Sequence, residues 1–244
     1  MNIHAAGRFA ILIPAYNHAA GIGPLIERAR ALGLPIWVID DGSTDGTAAS
    51  LEETDGIHVI HHRENRGKGA ALLTGFAALA GKADWAVTLD ADGQHDPADV
   101  PVLIRAIPAG LRPIVIGRRE GMAGKDVPWT SRFGRKFSNF WVWCSGGPFL
   151  TDTQSGMRIY PLPEAAVLGV RARRFQFEVE ILVRARWEGI PVIEAPVRVS
   201  YTPGMKRVSH FRPFVDFCRN SGTFTRLIFL RILRRLFGRS AKGI

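Results

Sequence analysis

Short apolar runs of strand length alternate with helical patterns over the first half of the chain, and this rhythm limits the fold more than any other feature. Five runs rich in apolar and β-branched residues lie at 9–14, 35–40, 57–61, 85–90 and 113–117. Helical patterns lie between them at 22–32, 69–80 and 98–107. Strands that alternate with helices build a parallel sheet covered by helices on both faces. The sequence therefore predicts an α/β fold with a mostly parallel sheet.

The second half of the chain continues the pattern and ends differently. Helix-like segments at 128–144 and 176–189 alternate with strand-like runs at 156–161 and 192–199. The chain has 244 residues, enough for one sizeable core, and we find no internal repeat or long linker. We predict one α/β domain over residues 1–200, followed by a basic loop and amphipathic helices over residues 201–244.

The positive charge of the chain is concentrated at its end. Residues 201–244 hold ten Lys or Arg and one acid, a net charge of 10 − 1 = +9, whereas residues 1–200 hold 22 bases and 21 acids, a net charge of 22 − 21 = +1. The first apolar run is too short for a signal core, and no run of about 18 uncharged apolar residues predicts a membrane span. Two cysteines without metal-like spacing favour a reduced, cytosolic setting.

Polar residues follow three of the predicted strands where each strand ends. They are Pro14 to Asn17, the segment that begins Asp40-Asp41, and the Asp90-Ala91-Asp92 triplet. Each alone is typical of turns and helix caps. Ligands of open α/β sheets bind beyond the carboxyl ends of the strands, so together these groups indicate one crevice. Clustered carboxylates need a counter-cation, and Mg²⁺ or Mn²⁺ prefers oxygen ligands and accepts phosphate oxygens as further ones.

Two other function classes are weaker matches. The Gly67-Lys68-Gly69 triplet lacks the upstream glycine and the following Ser or Thr of an ATP-binding P-loop. A nucleotidyltransferase would place arginine in a glycine-rich loop after the first strand, and residues 14–21 hold none. The aliphatic character of the basic tail argues against binding to nucleic acid.

The order of motifs PAYN, DDGSTDGT, NRGKGAAL, LDADGQ, GRR and DTQSGMRIYP resembles that of the family-two glycosyltransferases with the GT-A fold. Among these, the chain is most similar to the dolichyl- and polyprenyl-phosphate hexose synthases, and the match covers roughly residues 9–200. The resemblance implies a Rossmann-like GT-A domain over residues 1–200. It also implies a nucleotide-sugar donor, Mg²⁺ or Mn²⁺ as cofactor, and an inverting displacement at the anomeric carbon.

The resemblance also implies roles for individual residues. The nucleotide would be bound by Pro14, Ala15, Tyr16, Asp40, Asp41, Lys68 and Asp90. The metal would be held by Asp90, Asp92 and Gln94, with Asp92 and Asp152 as the catalytic candidates. For His95 we expect no more than a surface turn.

The acceptor side remains open between two alternatives. A phosphate acceptor would be bound by cationic residues, for which we select Arg118, Arg132, Lys206, Arg207 and His210. A hydroxyl acceptor, on a glycolipid or a lipid-like pigment, would instead need a general base, for which Asp152 is the main candidate. With a phosphate acceptor, Asp152 would orient its neighbours.

The last helical pattern, residues 222–239, has a broad apolar arc opposite Arg231, Arg234 and Arg235. Packing against the domain would explain the arc, but an apolar face bordered by arginines favours a helix that lies in a membrane interface. We therefore expect a cytoplasmic enzyme that is peripherally associated with the inner face of the cell membrane and meets a lipid-linked acceptor there.

Overall fold

The computed structural model describes residues 7–120, 129–198 and 213–237. Seven strands form one sheet in the order β3-β2-β1-β4-β6-β5-β7, and all neighbours are parallel except β6, which is antiparallel to β4 and β5. The strands are β1 (Phe9–Ala15), β2 (Ile36–Asp40), β3 (His58–His61), β4 (Trp85–Thr88), β5 (Ile114–Arg119), β6 (Arg158–Pro161) and β7 (Val192–Val197).

Seven α-helices accompany the sheet in the described part of the chain. They are α1 (Ala19–Arg30), α2 (Thr47–Glu52), α3 (Lys68–Ala78), α4 (Val100–Arg105), α5 (Trp129–Cys144), α6 (Phe177–Trp187) and α7 (Pro213–Leu236). Short 3₁₀ helices lie at Pro97–Asp99 and Glu164–Val167.

Side-chain alternation along β1 divides the core between the two faces of the sheet. Ile11 and Ile13 point to the face that α1 and α4 cover, with Ile22 and Leu103 among the buried partners. Leu12 points to the opposite face, in the cluster that contains buried residues of α3 and α6. Because both faces are covered, β1, β2 and β4 are apolar almost throughout, as expected for buried parallel strands.

The chain reverses its direction of travel across the sheet between β1 and β4. β2 and β3 extend one side of β1, whereas β4 pairs with its other side. Ligands of open α/β sheets bind at such a switch point, outside the carboxyl ends of the strands. The fold therefore places the end of β1 and the loop after β4 on either side of one crevice.

The long helix α7 packs on the body through α5 and α6. Phe224 and Leu227 are buried in a small cluster with Val142, Val179 and Val183. Arg226 adds an ion pair to Glu180, a fully buried carboxylate of α6. The inward face of α7 is therefore both apolar and charge-paired.

The predicted fold class is confirmed, with two differences. The run at 156–161 contains β6, which lies between β4 and β5 and is antiparallel to both. The short helix α2 was not predicted, because six residues carry too little periodicity to stand out. No helix in the described segments is long and apolar enough to cross a membrane.

Candidate active site

A cavity of about 500 Å³ opens at the carboxyl edge of the sheet, and we call it the strand-edge cavity. It is lined by Pro14, Ala15, Tyr16, His18, Asp41, Asn65, Gly67, Lys68, Ala71, Asp90, Ala91, Asp92, Arg174, Phe175, Asp216 and Arg219. Seven of these were selected from the sequence as nucleotide or metal ligands. The cavity thus brings together residues that follow three different strands.

The loops after β1 and β2 fix each other by hydrogen bonds at the rim of this cavity. Asn17 has a left-handed φ of 53°. Its side-chain oxygen accepts a hydrogen bond from the Thr44 backbone N–H at 2.8 Å, and its own backbone N–H donates to the Ser43 hydroxyl oxygen at 2.9 Å. Asp45 accepts from the backbone of Ala19 and Thr47 and so caps both segments. These bonds explain the Asp-Gly-Ser-Thr-Asp-Gly-Thr motif as a rigid support for the end of β1.

The adjacent acids Asp40 and Asp41 have different hydrogen-bond partners, and only Asp41 lines the cavity. Asp40 is buried and bonds His61 at 2.9 Å and the Ser43 N–H, and it does not line the cavity. Asp41 lines the cavity and accepts from the N–H of Gly67 at 2.7 Å. It also accepts from the N–H of Arg66 at 3.0 Å. Asp41 therefore shapes the loop that leads into α3.

Lys68 begins α3 and places its ammonium between two carboxylates. It pairs with Asp90, from the loop after β4, and with Glu178, from the first turn of α6. Burial alone lowers the pKa of Lys68, but the two carboxylates raise it and the net shift is upward. Burial likewise raises the pKa of Asp90, but Lys68 lowers it more, so Asp90 is ionised.

Gly156 forms the surface on which the Asp90 side chain rests. A Cβ atom at Gly156 would lie 1.9 Å from Asp90 Oδ2 and 2.3 Å from its Cγ. Only glycine leaves room for this carboxylate. The Gly of the DTQSG segment is thus explained by its contact with the Asp-x-Asp segment.

Asp92 and Gln94 are joined by two hydrogen bonds. The Asp92 carboxylate accepts from the Gln94 backbone N–H at 3.1 Å and from the Gln94 side-chain amide nitrogen. No group of three His, Cys, Asp or Glu side chains gathers as a metal site within the described residues. Two carboxylates with the Gln94 amide oxygen nevertheless fit a hard cation that keeps phosphate oxygens as further ligands. Ligation by Gln94 requires its amide to turn its oxygen toward Asp92 and Asp90.

The expectation of a surface histidine at position 95 is wrong. His95 is only 4% exposed, and its Nε2 lies 3.4 Å from the Ser155 hydroxyl. Its Nδ1 has no hydrogen-bond partner among the described residues. Burial lowers the pKa of His95 to about 4, so the ring is neutral at pH 7. The loop after β4 therefore contacts the segment that leads into β6 through His95 and Ser155.

Asp152 is fully buried and pairs with Arg119 at the end of β5. Arg119 donates to it from Nε at 2.7 Å, from Nη2 at 2.8 Å and from its backbone N–H at 3.2 Å. Burial raises the pKa of Asp152, but the bonds from Arg119 lower it more, and the net shift is downward. Asp152 does not line the strand-edge cavity. It is therefore an ionised anchor for Arg119.

The predicted acceptor residues lie away from the strand-edge cavity or outside the described part. Arg118 is half-exposed at the end of β5, 3.6 Å from Glu120. Arg132 is exposed on α5. Neither lines the cavity. Lys206, Arg207 and His210 lie outside the described residues.

Several cavity residues were not found from the sequence. Asn65, Arg174 and Phe175 come from loops without a strand-end position. Asp216 and Arg219 come from α7 and form an ion pair at 3.2 Å. No local pattern indicated that the tail helix reaches the crevice. Glu178 pairs with Lys68 without lining the cavity. Its one signal in the sequence is that residues 175–183 resemble a segment of the family-two glycosyltransferases.

Comparison with known proteins agrees with this geometry. The sequence model of glycosyl transferase family 2 matches residues 10–164, more than half of the chain. The chain belongs to glycosyl transferase family 2. As the fold and the matched region indicate, it is a glycosyltransferase.

Two curated members of glycosyl transferase family 2 illustrate the branch to which the chain is similar. One is the UDP-N-acetylglucosamine–dolichyl-phosphate N-acetylglucosaminyltransferase of Methanococcus voltae, 31% identical over 79% of this chain and 85% of the relative. The other is the polyprenol monophosphomannose synthase of Mycolicibacterium smegmatis, 30% identical over 78% of this chain and 76% of the relative. The chain is thus close to the polyprenyl-phosphate sugar synthases of the family.

A solved structure supports the fold. The glucosyl-3-phosphoglycerate synthase of Mycobacterium tuberculosis, solved with Mn²⁺ and UDP-glucose, matches with a TM-score of 0.61 and 22% identity. The match covers 96% of this chain and 81% of the other. At this identity the likeness shows the shared GT-A fold.

Replacing Gly156 by alanine should disable the strand-edge cavity without unfolding the protein. The new Cβ forces the Asp90 carboxylate off its position beside Lys68. The sequence predicts that the cavity binds a nucleotide with a divalent cation, so we expect binding of UDP or GDP in the presence of Mn²⁺ to weaken at least about tenfold. Isothermal titration calorimetry measures this. Gly134→Ala on α5 is the matched control, because its Cβ would lie no closer than 3.9 Å to any atom outside its own helix. Equal nucleotide affinity in both variants would contradict the contact between Gly156 and Asp90.

Proposed function

We propose that the chain is an inverting, metal-dependent glycosyltransferase that moves a hexose from a UDP- or GDP-linked donor to a polyprenyl-phosphate lipid. The observation that carries the proposal is the strand-edge cavity, in which Tyr16, Asp41, Lys68, Asp90 and Asp92 meet at the switch point of a GT-A sheet. The names of the relatives from Methanococcus voltae and Mycolicibacterium smegmatis support a lipid phosphate acceptor.

In this proposal the donor lies along the strand-edge cavity. The base and ribose occupy the part formed by Pro14 to Tyr16 and Asp41, and the diphosphate lies near Lys68 and the Asp90–Asp92 loop. Asp90, Asp92 and the Gln94 amide oxygen would hold Mg²⁺ or Mn²⁺. When bound, the cation would neutralise charge on the leaving diphosphate.

The transfer is a single displacement. An oxygen of the acceptor phosphate attacks the anomeric carbon from the side opposite the diphosphate, the new carbon–oxygen bond forms, and the bond to the leaving oxygen breaks. The electron pair leaves with the nucleoside diphosphate, so the configuration at the anomeric carbon inverts. Asp92 would contribute by holding the cation that neutralises the charge of the leaving diphosphate.

The contacts of Asp152 support a phosphate acceptor over a hydroxyl acceptor. A hydroxyl must lose a proton to a general base, whereas a phosphate is already ionised. Asp152 has a lowered pKa, both of its oxygens accept from Arg119, and none of its surface is exposed. It is therefore poorly placed to accept a proton. Arg118 and Arg132 remain our candidates for contact with the acceptor phosphate.

Asp92→Ala should abolish sugar transfer while the fold survives. Loss of one metal and diphosphate ligand is expected to lower kcat by at least about 10²-fold. The assay is a panel of UDP- and GDP-hexoses with a polyprenyl phosphate, with and without Mn²⁺, read as lipid-linked product. Asp55→Ala, an exposed carboxylate before β3, is the control. Full activity of Asp92→Ala, with an unchanged melting curve, would refute the assignment of the metal and diphosphate to this loop.

Asp152→Asn should separate the two acceptor classes. With a phosphate acceptor we expect turnover to remain within about tenfold of the parent, since removal of a true general base lowers the rate about 10²- to 10⁴-fold. Initial rates are measured at saturating donor, and thermal unfolding checks that the loss of the Arg119 pair has not unfolded the variant. A loss beyond about 10²-fold in a folded variant would favour the hydroxyl acceptor on another amphiphile.

We also propose that α7 contacts the membrane surface, at the cytoplasmic face, so that the lipid acceptor is met there. Three arginines of α7 turn toward the body: Arg226 pairs with Glu180, Arg231 donates to the Cys144 carbonyl, and Arg234 pairs with Glu188. Several apolar residues of α7 point outward, with Phe229 60%, Ile232 50% and Leu236 70% exposed. The helix thus does not use this apolar face to pack on the described part of the body.

The helix next to α7 supports the same proposal. Phe140 and Trp143 of α5 are each 54% exposed, and α5 is joined to α7 by the ring contact of Trp141 with Phe224. Amphipathic helices with exposed aromatic and aliphatic side chains bind at the boundary of headgroups and acyl chains. The excess of arginine on the tail would add attraction to anionic lipids.

The double substitution Phe229→Ser and Ile232→Ser should release the protein from vesicles. Each side chain contributes about 1.5–3 kcal/mol when it is fully buried in an apolar phase, so we expect partition onto phosphatidylglycerol vesicles to fall at least about tenfold. Vesicle co-sedimentation measures the partition. Val167→Ser, at a residue 77% exposed elsewhere on the surface, is the control. Equal partition of both variants would contradict membrane contact through α7.

A further inference from the structure

The ammonium of Lys68 joins three separate segments of the chain at the base of the strand-edge cavity. Lys68 begins α3, Asp90 follows β4, and Glu178 lies in the first turn of α6, 110 residues from Lys68. The three side chains are largely withdrawn from solvent, with 15% of Lys68, 26% of Asp90 and 10% of Glu178 exposed. Their charges therefore act on one another with little screening.

The Lys68 ammonium already acts as the counter-cation of Asp90. Asp90 is also the first aspartate of the segment to which we assign the metal. A divalent cation that binds there meets a fixed positive charge in contact with its own ligand. Asp92, the second ligand, is bonded to Gln94 in the same arrangement. A free metal ion therefore has to compete with a neighbouring positive charge for Asp90 and with the Gln94 amide for Asp92.

We propose that Lys68 is a positioning residue that disfavours a free divalent cation at Asp90 and admits the cation together with the donor diphosphate. The inference rests on the proposed function, since it assumes a diphosphate donor. The diphosphate brings negative charge that can interact with both the cation and the Lys68 ammonium. Metal and donor therefore bind with strong positive coupling.

Glu178 should affect the affinity for free Mn²⁺ in the direction opposite to Lys68. It pairs with the same Lys68 ammonium as Asp90 and so adds a negative charge of its own near Asp90. Removing the Lys68 charge should strengthen binding of free Mn²⁺, whereas removing the Glu178 charge should weaken it. A purely structural role for the contact would disturb the cavity in both variants and weaken binding in both.

The experiment is a titration of the full-length chain with Mn²⁺, followed by electron paramagnetic resonance of the free ion, with and without UDP or GDP. Without nucleotide, Lys68→Gln should bind Mn²⁺ at least about tenfold more tightly than the parent, because a neighbouring charge shifts ion affinity by one or more logarithmic units. Glu178→Gln should bind it more weakly, and Lys68→Arg should behave as the parent. The gain in Mn²⁺ affinity that the nucleotide produces should shrink in Lys68→Gln, because the charge that opposes the free ion is gone. The gain in nucleotide affinity that Mn²⁺ produces should shrink equally, since the coupling is reciprocal.

Controls locate the effect. Lys82→Gln removes a lysine that lies over the Trp37 ring, elsewhere on the protein, and should leave Mn²⁺ affinity unchanged. Lys68→Gln combined with Asp92→Ala should lose the tight binding, which places the ion at this loop. Unchanged or weaker Mn²⁺ binding in a folded Lys68→Gln variant overturns the inference, as does tight binding that survives the loss of Asp92. Failure of the proposed function would show separately, as absent sugar transfer alongside the expected metal affinities.

Discussion

The buried guanidinium of Arg158 is the interaction on which the architecture of the site depends. It lies at the start of β6 and is 1% exposed. It donates to the carbonyls of Ser155 at 2.7 Å, Thr153 at 2.9 Å and Glu178 at 2.9 Å. A buried charge of this kind is tolerated only when its donors are satisfied. Arg158 therefore fixes the loop that carries Gly156 and the first turn of α6 at the same time.

The position of Asp90 follows from this arrangement. Gly156 gives the Asp90 carboxylate its resting surface, and Glu178 holds the lysine that neutralises it. The antiparallel strand β6 is what brings these groups to the carboxyl end of β4, because its first residues lie beside Thr88. The break in parallel order thus lets Gly156 and Glu178 reach the edge formed by β1, β2 and β4.

The sequence predicts well what local spacing determines and poorly what depends on long-range contacts. Apolar runs and the residues after them were sufficient to place Tyr16, Asp41, Asp90 and Asp92 at one edge, since parallel strands share their carboxyl ends. The same logic could not separate Asp40 from Asp41, because their difference depends on which one faces the loop before α3. The burial of His95 could not be predicted for a similar reason, since it involves contact with Ser155, which lies 60 residues further along the chain.

The orientation of helix α7 likewise depends on long-range contacts that the sequence does not reveal. Periodicity predicted that the arginines and the apolar residues of α7 lie on opposite sides, but it does not say which side faces the body. In the structure the arginines find acceptors on α5 and α6, and the first turns of α7 bring Asp216 and Arg219 to the strand-edge cavity. One rigid helix therefore joins an outward apolar face to a wall of the cavity. In the function we propose, a membrane that binds the outward face would also hold that wall of the cavity in place, because Asp216 and Arg219 belong to the same helix.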